Sequence, residues 1–430
     1  MDERIFGRTK GGDSVLRRNF WVNVFDGALF AFGLSLASQQ TVLPVFVKHL
    51  GGGNVALGLI PVLWTAGFNF PQIFVARRVQ KHAKKKGMFL KTAIIQRLPW
   101  LLLAIVSFFV IDRVDSSVGV ILFLSLFTLA AVAGSINFPL WFDLVAKLTP
   151  VDLRGRMLAT RNLAGGILGI LGGWIVERVL EGLAYPANFG FLFLLAILAM
   201  TGSYGFLLCL REDTDSVVTT PVKRKEFWRK LRTIIRHEGN FRNFLLSDAM
   251  LIAATMAGAF YTISFIERFS LADSYAGTFT VVMMTTTIFG NILFGPLADS
   301  FGHRLNMVLA ASSTLLACLI AILAPSVTVA YIVFVLSAST ISLSGISRLA
   351  FVAELCPEAE RPTYIALANM ITAPFVLFGI IGGWLADAYG FTIVFVIAGL
   401  FSGGSLLTWL LFIREPRRMN INTAIESASW

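Results

Sequence analysis

Ionisable side chains inside long apolar runs carry a heavy desolvation cost, so each one in this sequence needs a chemical reason. Asp26, Arg97, Asp248 and Arg348 stand in such runs. Arg97 lies about nine residues into its run, on the order of 14 Å deep, within Gln96-Arg97-Leu98-Pro99-Trp100. A bare guanidinium there must find a carboxylate, carbonyls, water or a solute anion. Two readings stand for it, a solute contact or a structural partner for Gln39, Asn69 or Gln72. Asp248 and Arg348 fall near the same end of two different runs and could meet. A carboxylate that gains and loses a cationic partner changes its affinity for protons, so the pair is a candidate for coupling proton movement to conformational change. A permanent structural ion pair is the competing reading.

Polar side chains at helical spacing extend these positions into stripes. Ser337, Thr340, Ser344 and Arg348 share a narrow arc at 100° per residue, and Asp248, Thr255 and Thr262 recur every seven. Ser35 and Gln39 make one polar line. Asp26 lies on the opposite side of that helix, with Gly33 and Ala37, and reads first as a buried polar group and second as a coupling residue. Any single Ser or Thr in an apolar helix often bonds its own backbone, so the stripes count for more than their members. Glu177, Asp387 and Glu267 fall at or near helix ends, where a solvated reading is preferred. The absence of a midplane carboxylate argues against a cavity for organic cations and favours a neutral or anionic solute.

The elements that must hold these residues follow from composition. Of 430 residues 56% are apolar and 14% charged, which excludes an ordinary soluble domain, a disordered chain and a nucleic-acid binder. With about 20 residues per bilayer crossing, the chain can supply on the order of twelve transmembrane helices. They are expected near 20–47, 56–76, 88–111, 118–142, 157–177 and 188–210, then 243–266, 274–298, 305–324, 327–347, 363–386 and 391–413. This makes the protein an all-α membrane protein. Residues 1–19 form a tail, 20–210 and 243–413 two bundles of six, 211–242 a central linker, and 414–430 a second tail. The start Met1-Asp2-Glu3 lacks the order of regions of a removed signal peptide.

The net charge of +11 is a topology signal. Lys and Arg concentrate in the tails, the linker and the even-numbered connections, whereas the odd-numbered connections carry only Lys48, Arg113, Arg178 and Arg268. The positive-inside rule then places both termini and the linker in the cytoplasm of a multi-pass plasma (inner) membrane protein. In the linker, Phe227, Trp228, Leu231, Ile234 and Ile235 alternate helically with Lys and Arg, as in a basic helix resting on lipid headgroups. The three cysteines and four histidines are scattered, so no metal site, disulfide framework or catalytic cluster is expected. The chain is expected to be no enzyme, to need no cofactor and to work as a monomer.

The halves repeat one another. Asn19-Phe20 with Asp26 recurs as Asn243-Phe244 with Asp248, and Asn69 recurs as Asn291, at shifts of 224 residues for the Asn-Phe pair and 222 for Asp26 and Asn69. Pro150, Arg154 and Asn162 recur as Pro357, Arg361 and Asn369, and Gly172-Gly173-Trp174 with Glu177 as Gly382-Gly383-Trp384 with Asp387. Duplicated halves of this kind are a mark of membrane transporters.

Twelve helices in two repeated sets, a basic linker and the stretch Gly295-Pro-Leu-Ala-Asp299-Ser-Phe-Gly302-His-Arg304 together resemble the major facilitator superfamily over roughly residues 20 to 413. The resemblance implies a secondary transporter that moves a small organic solute by alternating access, with proton coupling. It also implies a cavity lined by the first, fourth, seventh and tenth helices, here Ser35, Gln39, Thr255, Thr262, Ser337, Thr340 and Ser344; Arg97, on the third, is a cavity candidate by its depth alone. In the family, the loop of Gly295, Asp299, Gly302 and Arg304 latches the cytoplasmic side, and Arg154 and Arg361 join it as gating candidates. The first half departs from the pattern, reading Val75 to Gly87 with Arg77 opposite Asp299. Gly165, Gly169 and Gly173, four apart, read as a helix-packing stripe without the family's antiporter Gly-Pro step. A passive facilitator, or a membrane sensor or enzyme that kept the fold, are the alternative functions.

Overall fold

The computed structural model describes residues 13–69, 71, 84–212, 238–356 and 360–417. Gln72, Arg77 and its basic neighbours, the amphipathic linker stripe and Pro357 lie outside the described residues. The first half supplies α1 (Asp13–Leu36), α2 (Val42–His49), α3 (Asn54–Asn69), α4 (Lys86–Phe109), α5 (Ser116–Leu148), α6 (Val151–Gly182) and α7 (Ala187–Leu208). The second half supplies α8 (Gly239–Ala254), α9 (Tyr261–Phe269), α10 (Tyr275–Phe301), α11 (His303–Leu323), α12 (Val327–Glu354), α13 (Arg361–Thr372), α14 (Phe378–Tyr389) and α15 (Phe391–Leu411). Eleven helical stretches among the described residues are long and apolar enough to span a bilayer, and α3 adds a shorter apolar helix. Outward-facing Phe109, Ile121, Leu323 and Leu400 are exposed, as expected of side chains that meet lipid. The protein is an all-α, multi-pass integral membrane protein.

Three helices expected to be continuous are interrupted. The run expected over 20–47 breaks at residues 37–41 and resumes as α2. Pro44 explains the break, because it has no N–H and its ring excludes the carbonyl four residues back, at Gln40. The run over 363–386 contains a 3₁₀ turn, Ala373–Leu377, built around Pro374. The run over 243–266 has no proline, yet residues Thr255–Ala259 tighten to 3₁₀ geometry, and Thr255 Oγ1 donates to the Ile252 carbonyl at 2.6 Å. That side-chain bond competes with the α-helical pattern in a stretch of small residues.

The chain divides into two compact units. Unit 1 comprises Met1–Gly52, Leu63–Pro221 and Leu271–Thr285, and unit 2 comprises Gly53–Val62, Val222–Ser270 and Thr286–Trp430. Each therefore takes one short segment from the opposite half of the sequence. The core of unit 1 is built on Phe46, whose ring lies 4.8 Å from Phe189 and 5.3 Å from both Phe123 and Phe193. In unit 2, Phe244, Phe351 and Trp409 form an equivalent buried cluster, with Phe351 and Trp409 edge to face at 4.9 Å.

Glycines admit the borrowed segments. In unit 1, a Cβ on Gly277 would fall 2.3 Å from the Glu177 nitrogen and 2.5 Å from the Gly173 carbonyl oxygen. The expected packing stripe thus runs along α6, with Gly165 against Ala31, Gly169 against Met284 and Gly173 against Gly277. In unit 2, a Cβ on Gly58 would lie 1.9 Å from the Gly379 carbonyl oxygen.

The duplicated carboxylates sit at these same crossings. Asp387 accepts from the amides of Asn54 and Val55 at the start of α3, and Glu177 accepts from Thr278 Oγ1 in the first turn of α10 at 3.2 Å. Both residues, expected to be merely solvated, are engaged with helix N-termini, where negative charge is favourable.

Candidate functional site: a charged, aromatic-walled pocket

A cavity of ≈ 310 Å³ opens within unit 1 between α1, α3, α4, α5 and α6. Asp26, Arg97 and Arg161 supply its charge, Gln96 and Asn137 its neutral polar groups, and Trp64, Phe68, Phe138 and Trp141 an aromatic wall. The Asn137 side-chain amide donates to Gln96 Oε1 at 2.8 Å, and Asn137 Oδ1 accepts from Thr92 Oγ1 at 2.7 Å.

The charged groups form a chain. Asp26 Oδ1 accepts from Ser203 Oγ at 2.6 Å, and Ser203 Oγ in turn accepts from Arg97 Nη2 at 3.0 Å. Arg97 also donates to the carbonyls of Met200 and Ala93, at 2.6 and 2.7 Å, and its guanidinium lies 5.3 Å from the Tyr204 ring. Its partners are therefore backbone carbonyls and Ser203, in place of the side chains expected from the sequence. Arg161 Nη1 stands 3.5 Å from Asp26 Oδ2, and its guanidinium covers the face of Trp141 at 4.4 Å. Arg161 can lie there because the neighbouring residue is glycine: a Cβ on Gly27 would come within 1.8 Å of Arg161 Nε.

Of the residues expected from the sequence to line a cavity or couple protons, only Asp26 and Arg97 line this pocket. Ser35 is buried, bonds the Phe32 carbonyl at 2.7 Å and packs where a side chain on Gly172 would go. Gln39 lies in the break between α1 and α2. Thr255 is exposed and Thr262 is fully buried. Thr340 joins α12 to α11 through Thr314 at 3.1 Å, whereas Ser337 and Ser344 are half-buried. Sequence reasoning missed Arg161, although a signal was present. It stands about ten residues into α6, as deep as Arg97 stands in its own helix.

Unit 2 carries the duplicated carboxylate in another setting. Arg348 Nε donates to both oxygens of Asp248 at 2.9 Å, and Nη2 stands 2.8 Å from Oδ2. Nη1 donates to Asn369 Oδ1 and Nη2 to Thr372 Oγ1, at 2.9 and 3.0 Å. Asp248 is 1% exposed. At the shift of 207 residues that carries Asn162 onto Asn369, Arg348 falls on Trp141, the residue on which Arg161 stacks. Both halves thus keep the carboxylate but draw its cation from different helices, α6 in unit 1 and α12 in unit 2.

The Gly295–Arg304 stretch links α10 to α11. Gly302 has φ +91° and leads into α11. The carboxylate at this helix start belongs to Glu415, which is 8% exposed and accepts from the Arg304 amide at 3.0 Å. Asp299 is exposed, and its main-chain carbonyl accepts from Arg417. Arg304 reaches the carbonyls of Trp409 and Leu410. A Cβ on Gly295 would meet nothing within 4 Å.

Unit 1 repeats the motif with Glu212, which accepts from the Lys85 and Lys86 amides and stands 2.7 Å from Lys147 Nζ. Burial pushes the Glu212 carboxyl upward, but Lys147 and the two amides outweigh it and hold it below the ordinary range. Asn19 and Arg211 exchange reciprocal bonds, as do Asn240 and Arg414, so Asn240 plays the part expected of Asn243. Arg154 and Arg361 reach back to carbonyls at the ends of α5 and α12, stabilising helix C-termini.

One consequence is measurable. Glu415→Gln should lower the thermal stability of the detergent-solubilised protein by about 1–2 kcal/mol, the cost of weakening a buried charged cap. Asp299→Asn should change it by less than about 0.5 kcal/mol. Equal losses in the two variants would refute this division of roles.

Duplicated helical halves, glycine-lined helix crossings and an internal charged pocket define a polytopic membrane transporter fold. The family model described as Major Facilitator Superfamily matches residues 26–271 and 249–429, and the chain belongs to that family. An uncharacterized protein of Mycobacterium tuberculosis strain H37Rv is 22% identical over 383 residues, covering 84% of this chain and 70% of the relative. A mutant of the nucleoside transporter NupG superposes with TM-score 0.71 at 12% identity, over 93% of this chain and all of the other. A bacterial homologue of the iron transporter ferroportin gives 0.70 at 15%, over 93% and 99%. A POT family transporter in complex with 5-aminolevulinic acid gives 0.70 at 12%, over 92% and 95%. Such low identities establish the shared fold alone.

Proposed function

We propose that the protein is a secondary transporter that carries a small organic anion by alternating access and couples its movement to protons. The observation that carries the choice of an anion is the pocket of unit 1, where two guanidiniums face one carboxylate. An organic cation would add to an excess of positive charge, whereas an anion balances it. The family membership supports transport over catalysis, and no group of His, Cys, Asp and Glu that could hold a metal occurs among the described residues. Both chain ends face the cytoplasm of the plasma membrane in this reading, which rests on the distribution of Lys and Arg.

The coupling step is assigned to Asp248 and Arg348. Their bidentate contact would hold the carboxylate ionised in one conformation and release it to take a proton in another. Uptake into proteoliposomes with an imposed pH gradient, run over a library of solutes, tests both parts. Asp248→Asn should abolish gradient-driven accumulation and leave solute exchange intact. Accumulation that persists in this variant would reduce the pair to a structural role. Uptake confined to cationic solutes would reject the anion.

A further inference from the structure

We propose that the pocket of unit 1 takes a planar aromatic carboxylate, with its carboxylate on Arg161 and its ring on the wall formed by Trp64, Phe68 and Phe138; this rests on the reading of the protein as an anion transporter. The docking atom is singled out by what its neighbours already have. Arg97 is held by Met200, Ala93 and Ser203, so each of its three nitrogens already donates to the protein. Arg161 Nη1 is buried and makes no hydrogen bond, its ion pair with Asp26 standing open at 3.5 Å, and the buried indole Nε1 of Trp141 makes none either. Two buried donors that make no hydrogen bond, on two residues lining one cavity, cost stability unless a further acceptor arrives. A carboxylate matches the guanidinium fork and has an oxygen to spare for the indole donor.

Charge sets the valence. Asp26 offsets one of the two guanidiniums, which leaves one positive charge for a monoanion. The wall sets the shape. Trp64 and Phe68 are stacked at 6.3 Å with 12° between planes, and Phe138 continues the surface 5.4 Å from Phe68 and 5.7 Å from Trp141. Offset stacking on such a surface favours a flat ring, and a volume of ≈ 310 Å³ limits the solute to one or two rings. Gly27 completes the site by leaving space for the guanidinium.

Equilibrium dialysis of the full-length protein in detergent, with radiolabelled benzoate and indole-3-acetate against benzamide, indole-3-acetamide and tryptamine, tests the assignment. At least one of the two acids should bind about tenfold or more tightly than its own amide, and tryptamine should not compete. Arg161→Gln and Gly27→Ala should each weaken that acid by about 10- to 100-fold and leave the amide unchanged, since one removes the guanidinium and the other displaces it. If Gly27→Ala does not fold, Arg161→Gln and the acid-to-amide ratio decide. Amides that bind as well as the acids, acids that bind Arg161→Gln unchanged, or binding of neither acid would overturn the proposal. Gradient-driven transport of a non-aromatic anion alongside any of these results would sink the aromatic carboxylate and leave the transporter reading standing.

Discussion

Arg348→Met should destabilise the protein by about 3–5 kcal/mol, the largest loss expected from any single charged residue described. The substitution leaves Asp248, 1% exposed, without the guanidinium that contacts both of its oxygens, and it also removes the bonds to Asn369 and Thr372. An unpaired buried carboxylate costs far more than the pair is worth, so most of the loss reports desolvation rather than attraction. The double variant Asp248→Leu with Arg348→Met should therefore recover most of it, because apolar replacement of both partners removes the buried charge altogether. Arg178→Met provides the contrast. Its partner Glu181 lies one helical turn away with both side chains exposed, and that variant should change stability by less than about 1 kcal/mol. Thermal unfolding midpoints in detergent measure all three. A double variant less stable than Arg348→Met would show that the ion pair itself, and not the stranded carboxylate, carries the energy.

Gly58→Ala should cost about 3 kcal/mol or more, although it adds a single methyl group and improves helix propensity. The new Cβ would lie 1.9 Å from the Gly379 carbonyl oxygen and 2.8 Å from its carbon. These are main-chain atoms of α14 and have no rotamer to change, so relief requires the helices to part. Gly27→Ala meets equally short distances, but against the flexible end of Arg161, and should disturb the pocket more than the fold. Gly205→Ala meets nothing within 4 Å and should be close to neutral. Proteolysis rates and thermal midpoints across this series separate a backbone collision from a side-chain displacement. A Gly58→Ala protein as stable as Gly205→Ala would mean that α3 and α14 can separate without loss, and would refute the close-packed crossing.

The class of protein and the layout of its helices were legible in the sequence, because a bilayer core requires apolar runs of a set length whatever they later pack against. Duplication could be read from spaced residues such as Asp26 and Asp248, and the contact of Asp248 with Arg348 from stripes at helical period. The breaks at residues 37–41 and at Ala373–Leu377 were implicit in Pro44 and Pro374, since proline acts on its own backbone. Other features depended on which faces meet. Periodicity put Asp26 on a packing face, but a packing face can also be a pocket wall when a glycine beside it admits an arginine from another helix, as Gly27 admits Arg161. Asp299 carries the loop signature, whereas Glu415 occupies the start of the helix that follows, because an N-terminus accepts a carboxylate from any element that reaches it. The sequence by itself determined the membrane class, the approximate placing of the apolar helices and the duplicated polar positions, all set by interactions within one helix or with lipid. Only the tertiary structure decided the partners of Arg97 and Arg161 and the identity of the capping acids, because a side chain's partner is fixed by distances between helices that no spacing along one helix records.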